Sequence, residues 1–411
     1  MSRFIITLMA LTASVIALNA TSPPISSNNS EELAEALQPS PLASDSIMAN
    51  TTVADTVTKA PKVGFWKSLK NYLSLDGGDK KGSDLNKVHV LGGPFYDNQA
   101  GFGIALMAAS NFKFNQRDTL SQPSFSQLYF NISTKKFWKL GMYGSLFLNA
   151  NKWRINYDMS YENMPSYFYG IGYEKGNDDA NKTMQHKHIG LFHVEALMRI
   201  TGRFRVGPAI RWNYVNSDTI SRPELLEGQD RILRNYGIGL VAEFDSRDNL
   251  KDAYSGWYLY GGVITRPKFL WNTYAFTTLE LRARHYRQVW KGGVIAGDLY
   301  GLFNFGNPSW AMMSLLGNSN RMRGYYQGRY RDKHMINLQV ELRQHVWRRH
   351  GITLWAGVGN VFHDGDSFGH LLPNFGIGYR FAFRRRTNIR LDFGIGKSGQ
   401  NGFVFNINEA F

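Results

Sequence analysis

The residue types that could carry out catalysis or bind a cofactor do not come together in this sequence. The tripeptide Gly-Lys-Ser at 396–398 matches the end of a phosphate-binding loop, but Leu391 stands where that loop requires a glycine. His186 and His188 flank one loop, and His193 lies on the polar face of a strand pattern. There is no cysteine, which excludes thiol catalysis, disulfides and cysteine-ligated metals. We therefore expect no enzyme activity, no metal site and no cofactor.

Most charged residues fall instead on the polar sides of alternating segments. In the stretch 336–347 apolar residues recur at every second position, and Glu341 and Arg343 lie on the opposite side. This period of two predicts β-strands. If the polar sides face the inside of a barrel, the lumen carries eight arginines and five acidic residues: Arg199, Arg205, Arg211, Arg282, Arg284, Arg343, Arg380, Arg390, Glu195, Glu243, Glu280, Glu341 and Asp392. Such mixed charge favours a network in a partly filled lumen over a wide pore of one sign.

The fold class follows from how these segments repeat. Units of ~10 residues alternate with turn residues, as in outer-membrane barrels. Their apolar sides are rich in Phe, Tyr and Trp, and the stretch 403–411 alternates up to the aromatic Phe411. We expect an all-β, transmembrane antiparallel barrel of about sixteen strands. Their centres are predicted near residues 105, 129, 144, 155, 171, 193, 209, 239, 262, 281, 299, 340, 357, 379, 391 and 407, and the longest connection lies between 306 and 332.

Composition agrees with this class. The chain has 411 residues, 43% hydrophobic and 14% aromatic, and a net charge of 47 − 32 = +15. After the first 20 residues no apolar run reaches the ~18–20 residues that a membrane-spanning helix needs. The arginines are spread along strands rather than clustered with stacking aromatics, so we expect anionic lipid rather than nucleic acid as their partner.

The N-terminal part differs from the rest. Residues 1–20 have a basic start, an apolar core and a final Ala20, which predicts a signal peptide cleaved near Ala20. Residues 21–87 predict a disordered periplasmic linker, with a short basic amphipathic segment at 62–75. That segment could lie on a membrane surface, plug one end of the barrel or be plain linker. A signal peptide before a barrel at 88–411 indicates the outer membrane of a double-membraned bacterium.

Within the long connection, the stretch 322–325 reads Met-Arg-Gly-Tyr. It resembles the (Val/Ile)-Arg-Gly-(Phe/Tyr) loop tip of the BamA-type outer-membrane assembly and translocation barrels, the bacterial surface antigen family. Other motifs similar to this family occur along the chain in the family's order. They are the turn with Asp245, Arg247, Asp248 and Gly256, the strand with Gly359 and Asn360, the strand with Arg390 and Asp392, and the terminal aromatic Phe411. Tyr-Gly-Ile-Gly-Tyr at 169–173 resembles the Gly-x-Gly start of a strand.

The resemblance implies roles for these residues. The loop folds from the extracellular side into the lumen, where Arg323 pairs with acidic groups on the wall. Glu341, which the strand pattern already turns inward, is the expected partner. Gly324 permits a tight turn, and Tyr325 contributes an aromatic contact with a polar end. Phe411 corresponds to the terminal β-signal.

Two departures from the family pattern limit what the resemblance implies. Members usually carry periplasmic POTRA domains before the barrel, and the stretch 21–87 shows no alternating pattern that could form one. The chain is therefore expected to be a POTRA-less member. Gly357 stands where the family usually has an aspartate that helps to hold the loop arginine, which would leave more of that task to Glu341.

Three functions remain open at this stage. The first is help with the insertion or translocation of proteins or other macromolecules at the outer membrane, with unfolded client proteins, periplasmic or lipoprotein assembly partners and outer-membrane lipid as partners. For that function, Gly101 and Gly103 in the first predicted strand and Gly399 and Gly402 before the last would weaken the seam between them. The alternative is a passive or gated outer-membrane channel without insertase activity. A lipid-modifying enzyme is disfavoured by the missing catalytic set.

Overall fold

The chain forms a closed barrel of sixteen antiparallel strands, with two further short strands in one connection. The structure, a computed structural model, describes residues 88–97, 100–114, 120–250, 252–365, 369–384, 387–407 and 409–411. The predicted signal peptide, linker and amphipathic segment lie outside these residues. The strands are β1 (Val88–Asp97), β2 (Gly101–Phe112), β3 (Ser124–Ser133), β4 (Trp138–Leu148), β5 (Trp153–Phe168), β6 (Thr183–Thr201), β7 (Phe204–Ile220), β8 (Ile232–Asp245), β9 (Ser255–Arg266), β10 (Phe276–Trp290), β11 (Gly293–Gly306), β12 (Ser314–Leu315), β13 (Arg331–Asp332), β14 (His334–Trp347), β15 (His350–Phe362), β16 (Leu372–Arg384), β17 (Thr387–Gly396) and β18 (Asn401–Ile407).

Barrel strands that follow one another along the chain pair with each other, so the topology is a simple meander. The one long interruption is the connection from β11 to β14, which contains the β12–β13 ribbon. Among the described residues, helix is confined to α1 (Tyr173–Asn177) and to single 3₁₀ turns at Asp179–Asn181, Pro223–Leu226, Lys268–Leu270 and Lys397–Gly399. In the part of the chain that the structure describes, no helix is long and apolar enough to cross a bilayer.

The two sides of the wall differ in polarity. On β14, Leu338 and Val340 are 46% and 48% exposed, whereas their neighbours Gln339 and Glu341 are fully buried. The same alternation holds on β8, where Leu240 is exposed and Glu243 is buried. Apolar residues on the outside of a closed barrel and polar residues inside match a barrel that has lipid as its outer solvent.

The predicted number of strands is confirmed, although one predicted strand is absent and one observed strand was not predicted. The strand expected near residue 171 is absent, because β5 continues to Phe168 and the chain then turns into α1. The glycines of the 169–173 motif therefore follow a strand instead of starting one, and Gly170 and Gly172 have φ of 92° and 95°, which a strand does not use. The strand Val88–Asp97 had no separate centre in the prediction.

The last strand also differs from the expectation. It ends at Ile407, so the alternating pattern that runs to Phe411 does not form one strand. Glu409 and Phe411 turn to the inner side of the barrel instead, and the Phe411 ring is buried. Phe411 thus lies on the inner side of the barrel, and its assignment as the terminal β-signal stays a prediction.

The seam between the first and last strands is short. β1 pairs with β2 at ten register positions, but with β18 at a single one, Tyr96↔Phe405, among the residues that the structure describes. Gly101 and Gly103 belong to β2 and not to the first strand, so they do not weaken this seam directly. The shortness of β18 and its register limit the pairing instead.

The position of the outer wall in lipid gives a first prediction. Leu240→Arg, near the middle of β8, should lower the free energy of unfolding by about 2–4 kcal/mol, since a cation near the bilayer midplane is costly. Ile232→Arg, at the end of the same strand and on the same face, is the matched control and should cost about 0–1 kcal/mol. Urea unfolding of the barrel in lipid vesicles measures both. Equal costs at the two positions would contradict the placement.

Candidate functional site: a buried ion-pair ring

Arg323, in the connection between β11 and β14, lies between two carboxylates of the barrel wall. Its Nη2 donates to Glu341 Oε2 at 2.6 Å, and its Nη1 donates to Asp392 Oδ2 at 2.7 Å. All three side chains are fully buried. The planar guanidinium can reach two carboxylates at once in fixed directions, which a lysine ammonium cannot do in the same way. The tip of the connection is thus tied to β14 and β17 together.

These contacts are part of a closed ring of ion pairs. Glu341 Oε1 accepts from Arg343 Nε at 2.7 Å, and Asp392 Oδ1 accepts from Arg380 Nη1 at 2.5 Å. Glu409, after β18, completes the circuit at 2.7 Å from Arg380 and 3.7 Å from Arg343. We call this set the ion-pair ring; its six members are Arg323, Glu341, Arg343, Glu409, Arg380 and Asp392. The ring has three positive and three negative groups, and the buried Arg390 adds a further cation 3.7 Å from Asp392. Charges removed from water need such partners.

An aromatic ring covers the centre of this arrangement. The Arg323 guanidinium lies 3.6 Å from the centroid of Trp355 on β15, within the range of a cation–π contact. Trp355 Nε1 donates to Asn374 Oδ1 at 3.1 Å, and the Asn374 amide donates to the Arg323 carbonyl oxygen. Both the backbone and the side chain of Arg323 are therefore held by β15 and β16.

The residues next to Arg323 pack tightly on β17. Gly324 has φ of 109°, and a Cβ there would lie 2.7 Å from the Gly394 carbonyl, so only glycine fits. Tyr325 Oη donates to the Pro373 carbonyl oxygen at 2.5 Å and accepts from the Lys397 amide at 2.7 Å. Burial raises the pKa of Tyr325 to about 12, so its hydroxyl stays protonated and keeps donating. This close fit makes the Arg-Gly-Tyr tip a rigid contact.

Gly357 stands where the family pattern predicts an aspartate, and other residues hold the loop arginine instead. A Cβ at Gly357 would lie 2.8 Å from Gln339 Cγ, so the glycine leaves room for the Gln339 side chain. Gln339 Oε1 accepts from the Met322 amide at 2.9 Å and holds the residue before Arg323. The second carboxylate on Arg323 comes from Asp392, so Glu341 does not hold it alone.

Arg390 and Gly359 fix the connection on either side of its tip. Arg390 Nη2 donates to Asn320 Oδ1 at 2.6 Å and to the Ser319 carbonyl oxygen at 3.1 Å. A Cβ at Gly359 would lie 2.8 Å from Leu316 Cδ1, so this glycine makes room for the leucine. The neighbouring Asn360 is buried as well.

The predicted motif at 245–256 forms a separate brace at the β8–β9 turn. Arg247 makes a two-point contact with Asp245, at 3.1 Å and 2.9 Å. Asp248 Oδ1 accepts from the amides of Tyr254 and Ser255, and Gly256 has φ of 111° where a Cβ would meet the Ser246 carbonyl. The motif shapes this turn.

Phe411 belongs to the neighbourhood of the ion-pair ring. Its carbonyl oxygen accepts from Arg343 Nη2 at 2.6 Å, and its side chain packs with Ala253, Tyr286 and Ala296. The segment after β18 is thus attached to the inner side of β10, β11 and β14. It lies on the opposite side of Arg343 from the Arg-Gly-Tyr tip.

Sequence analysis missed three members of this site. Trp355 and Asn374 lie on strands whose register could not be read from the pattern, and Glu409 was placed in a strand that ends before it. Asp392 was named for its motif and its inward face, not as a partner of Arg323. A pairing register for β14 to β16 would have revealed two of them, because it brings Trp355 opposite Glu341 and Asn374 opposite Gly357. Glu409 lies after β18, so no strand register includes it.

Removal of the central cation should destabilise the barrel. Arg323→Ala leaves two buried carboxylates short of a partner and should lower the free energy of unfolding by about 3–5 kcal/mol. Arg329→Ala, in the same connection, removes an ion pair to the exposed Asp179, a hydrogen bond to the Gly176 carbonyl oxygen and a contact with the Tyr169 ring. It should cost less than Arg323→Ala, because it leaves no buried carboxylate without a partner. Urea unfolding and the heat-unfolding midpoint on gels measure both. An unchanged midpoint for Arg323→Ala would refute the anchor.

The closed circuit predicts coupling between Arg323 and Glu409, which do not touch. Without Arg323 the ring has an excess negative charge, so Glu409→Gln should then cost less than it does in the wild type. We expect the double variant to lose about 0.5–3 kcal/mol less than the sum of the single variants. The pair Arg329→Ala and Glu409→Gln is the control and should be additive. Additivity in both pairs would mean that the ring does not act as a unit.

Comparisons with known proteins show similarity in fold. No protein-family model matches the chain, and no curated protein does so either. Among solved structures, BamA from Haemophilus ducreyi lacking POTRA domains 1–3 matches with a TM-score of 0.54 and 8% identity, over 79% of this chain and 70% of that one. CdiB from Escherichia coli matches with a TM-score of 0.53 and 10% identity, over 78% and 62%. CdiB from Acinetobacter baumannii gives 0.51 and 9%, over 78% and 59%. The chain is therefore a sixteen-stranded barrel with the fold of the BamA and CdiB barrels.

Proposed function

We propose that this chain is an outer-membrane barrel that assists the insertion or translocation of proteins. The observation that carries the proposal is the seam, where β1 and β18 share one register pair, Tyr96↔Phe405. Other neighbouring barrel strands share seven or more pairs. Among the residues that the structure describes, the edges of β1 and β18 thus lack each other's N–H and C=O groups along most of their length. Unpaired strand edges are templates on which an incoming strand can add.

An incoming strand can use this edge only if the rest of the barrel stays closed while the seam opens. The ion-pair ring joins β14, β16 and β17 with the segment after β18, so it stiffens the wall on one side of the seam. β18 itself remains attached to β17 at seven register positions. An incoming strand would therefore meet a β18 edge that β17 and the ion-pair ring hold in place, and a β1 edge that can separate from β18.

We also infer that the connection from β11 to β14 occupies the lumen. Arg321, Arg323 and Tyr330 in this connection are buried, and the first two bind carboxylates on inward-facing strand positions. Trp310 packs against Phe168 and donates from its ring nitrogen to the Asp230 carbonyl oxygen. A lumen filled in this way would keep solutes from leaking while the seam opens.

A seam lock tests the proposal. The chain has no cysteine, so Tyr96→Cys with Phe405→Cys gives one disulfide across the seam. In liposomes, the wild type should speed the folding of an unfolded test barrel above the rate in empty liposomes. The oxidised lock should abolish this acceleration, and reduction should restore it.

The matched control places the same lock elsewhere in the wall. Val263→Cys with Leu279→Cys bridges a register pair of β9 and β10 and should leave the acceleration intact when oxidised. Equal rates for the wild type and empty liposomes would refute the insertase activity. Acceleration that survives the oxidised seam lock would refute the role of the seam while keeping the activity.

The alternative function is a passive or gated channel without insertase activity. No structural observation favours it, because inward-facing groups and the β11–β14 connection contact one another across the interior. Ion conductance by the purified barrel without any acceleration of folding would select this alternative.

A further inference from the structure

A cluster of aromatic side chains lies at one rim of the outer wall, away from the ion-pair ring. Trp347 stacks on His350 at 5.8 Å with an interplanar angle of 13°. His350 Nδ1 lies 2.6 Å from the Tyr379 hydroxyl, and its ring contacts Phe381 at 5.6 Å. Trp347 is 57% exposed and Tyr379 is 37% exposed. The four rings make a platform at the end of β14, β15 and β16.

The turn between β14 and β15 places two arginines over this platform. The Arg348 guanidinium lies 4.4 Å from the Trp347 ring centroid, and that of Arg349 lies 5.9 Å from the Phe381 ring. Together with Trp347 and His350 they line a surface depression. No carboxylate pairs with Arg348 in the part of the chain that the structure describes.

The β14–β15 turn is left-handed at Arg348, with φ of 49°, a region where tight hairpin turns normally use glycine or asparagine. Lys136, in the turn between β3 and β4, has the same conformation, with φ of 62°. Arg348 differs from Lys136 in its place over the aromatic platform, 4.4 Å from the Trp347 ring centroid.

The neighbouring turn adds to the same surface. β11 pairs with β14, so the β10–β11 turn lies next to the β14–β15 turn. It carries the exposed Lys291 and the exposed Trp290, whose Nε1 donates to Gln344 Oε1 at 2.6 Å. Tryptophans at the edge of an apolar wall mark the headgroup level of a bilayer. Cations beside them lie where lipid phosphates are found.

We propose that Trp347, Arg348, Arg349 and His350 form a binding site for the headgroup of an anionic phospholipid. The two guanidinium groups would contact the phosphate, since arginine binds phosphate oxygens through several N–H donors at once. Lys291 would add charge from the next turn. The acyl chains would run along the apolar outer wall below, where Val346 and Ile352 are exposed.

The position of the site in the barrel favours phospholipid as the ligand. At this end the connections 202–203, 291–292 and 348–349 have two residues each, and the longest is 113–123, whereas those at the other end include 169–182, 221–231 and 307–333. Short turns face the periplasm in outer-membrane barrels. The site would then lie in the periplasmic leaflet, which consists of phospholipid.

Lipid binding to the purified, delipidated full-length protein tests the proposal. Native mass spectrometry in a nonionic detergent would count bound phosphatidylglycerol, with phosphatidylcholine as the zwitterionic comparison. Arg348→Gln with Arg349→Gln should weaken phosphatidylglycerol binding about 30-fold, from about 1 kcal/mol for each cation near an anionic surface. Phosphatidylcholine binding should stay unchanged. Lys291→Gln alone should give a smaller loss.

The matched control lies at the opposite end of the barrel. Lys135→Gln with Lys136→Gln also removes two cations from a short turn with a left-handed residue, Lys136, and should leave phosphatidylglycerol binding unchanged. Equal losses in the two double variants would reduce the effect to net charge and overturn the proposal. An unchanged affinity in the arginine variant would do the same. Displacement of the lipid by millimolar inorganic phosphate would assign the site to free phosphate instead.

Discussion

The architecture depends on one constraint, which is that a strand inside lipid must find all its backbone hydrogen bonds in other strands. The sheet therefore closes on itself, and side chains alternate between lipid and interior. The interior of this barrel receives many arginines and carboxylates, which have little water around them. Most of them are stabilised there by ion pairs, and Arg331 by backbone carbonyl oxygens. The ion-pair ring is the arrangement that satisfies this requirement around Arg323.

The ring also connects parts of the chain that are far apart in sequence. Arg323 comes from the β11–β14 connection, Glu341 and Arg343 from β14, Arg380 and Asp392 from β16 and β17, and Glu409 from the end of the chain. Among the described residues, β1 and β18 share the fewest register pairs of any neighbouring barrel strands, and Glu409 places the ion-pair ring on the β18 side of this seam.

More of the strands than of the site could be predicted from the sequence. The alternation of residues such as Leu338 and Glu341 was enough to predict the barrel, its polarity and the inward face of Glu341. The loop tip at Arg323 was singled out by its similarity to a known motif. Boundaries were harder: β5 was divided in two, β1 was missed, and the last strand was extended to Phe411. In each case a local pattern continued past the point where pairing stops.

The sequence by itself determined which residues face lipid and which face inward, because a period of two is a local property of an extended chain. Only the tertiary structure decided which inward residues meet. The register of β14 to β17 places Trp355 beneath Arg323, and Asp392 takes the role that Gly357 cannot fill. The turn of the chain after β18 brings Glu409 to Arg380. These contacts depend on the closure and stagger of the whole sheet, which no single segment specifies.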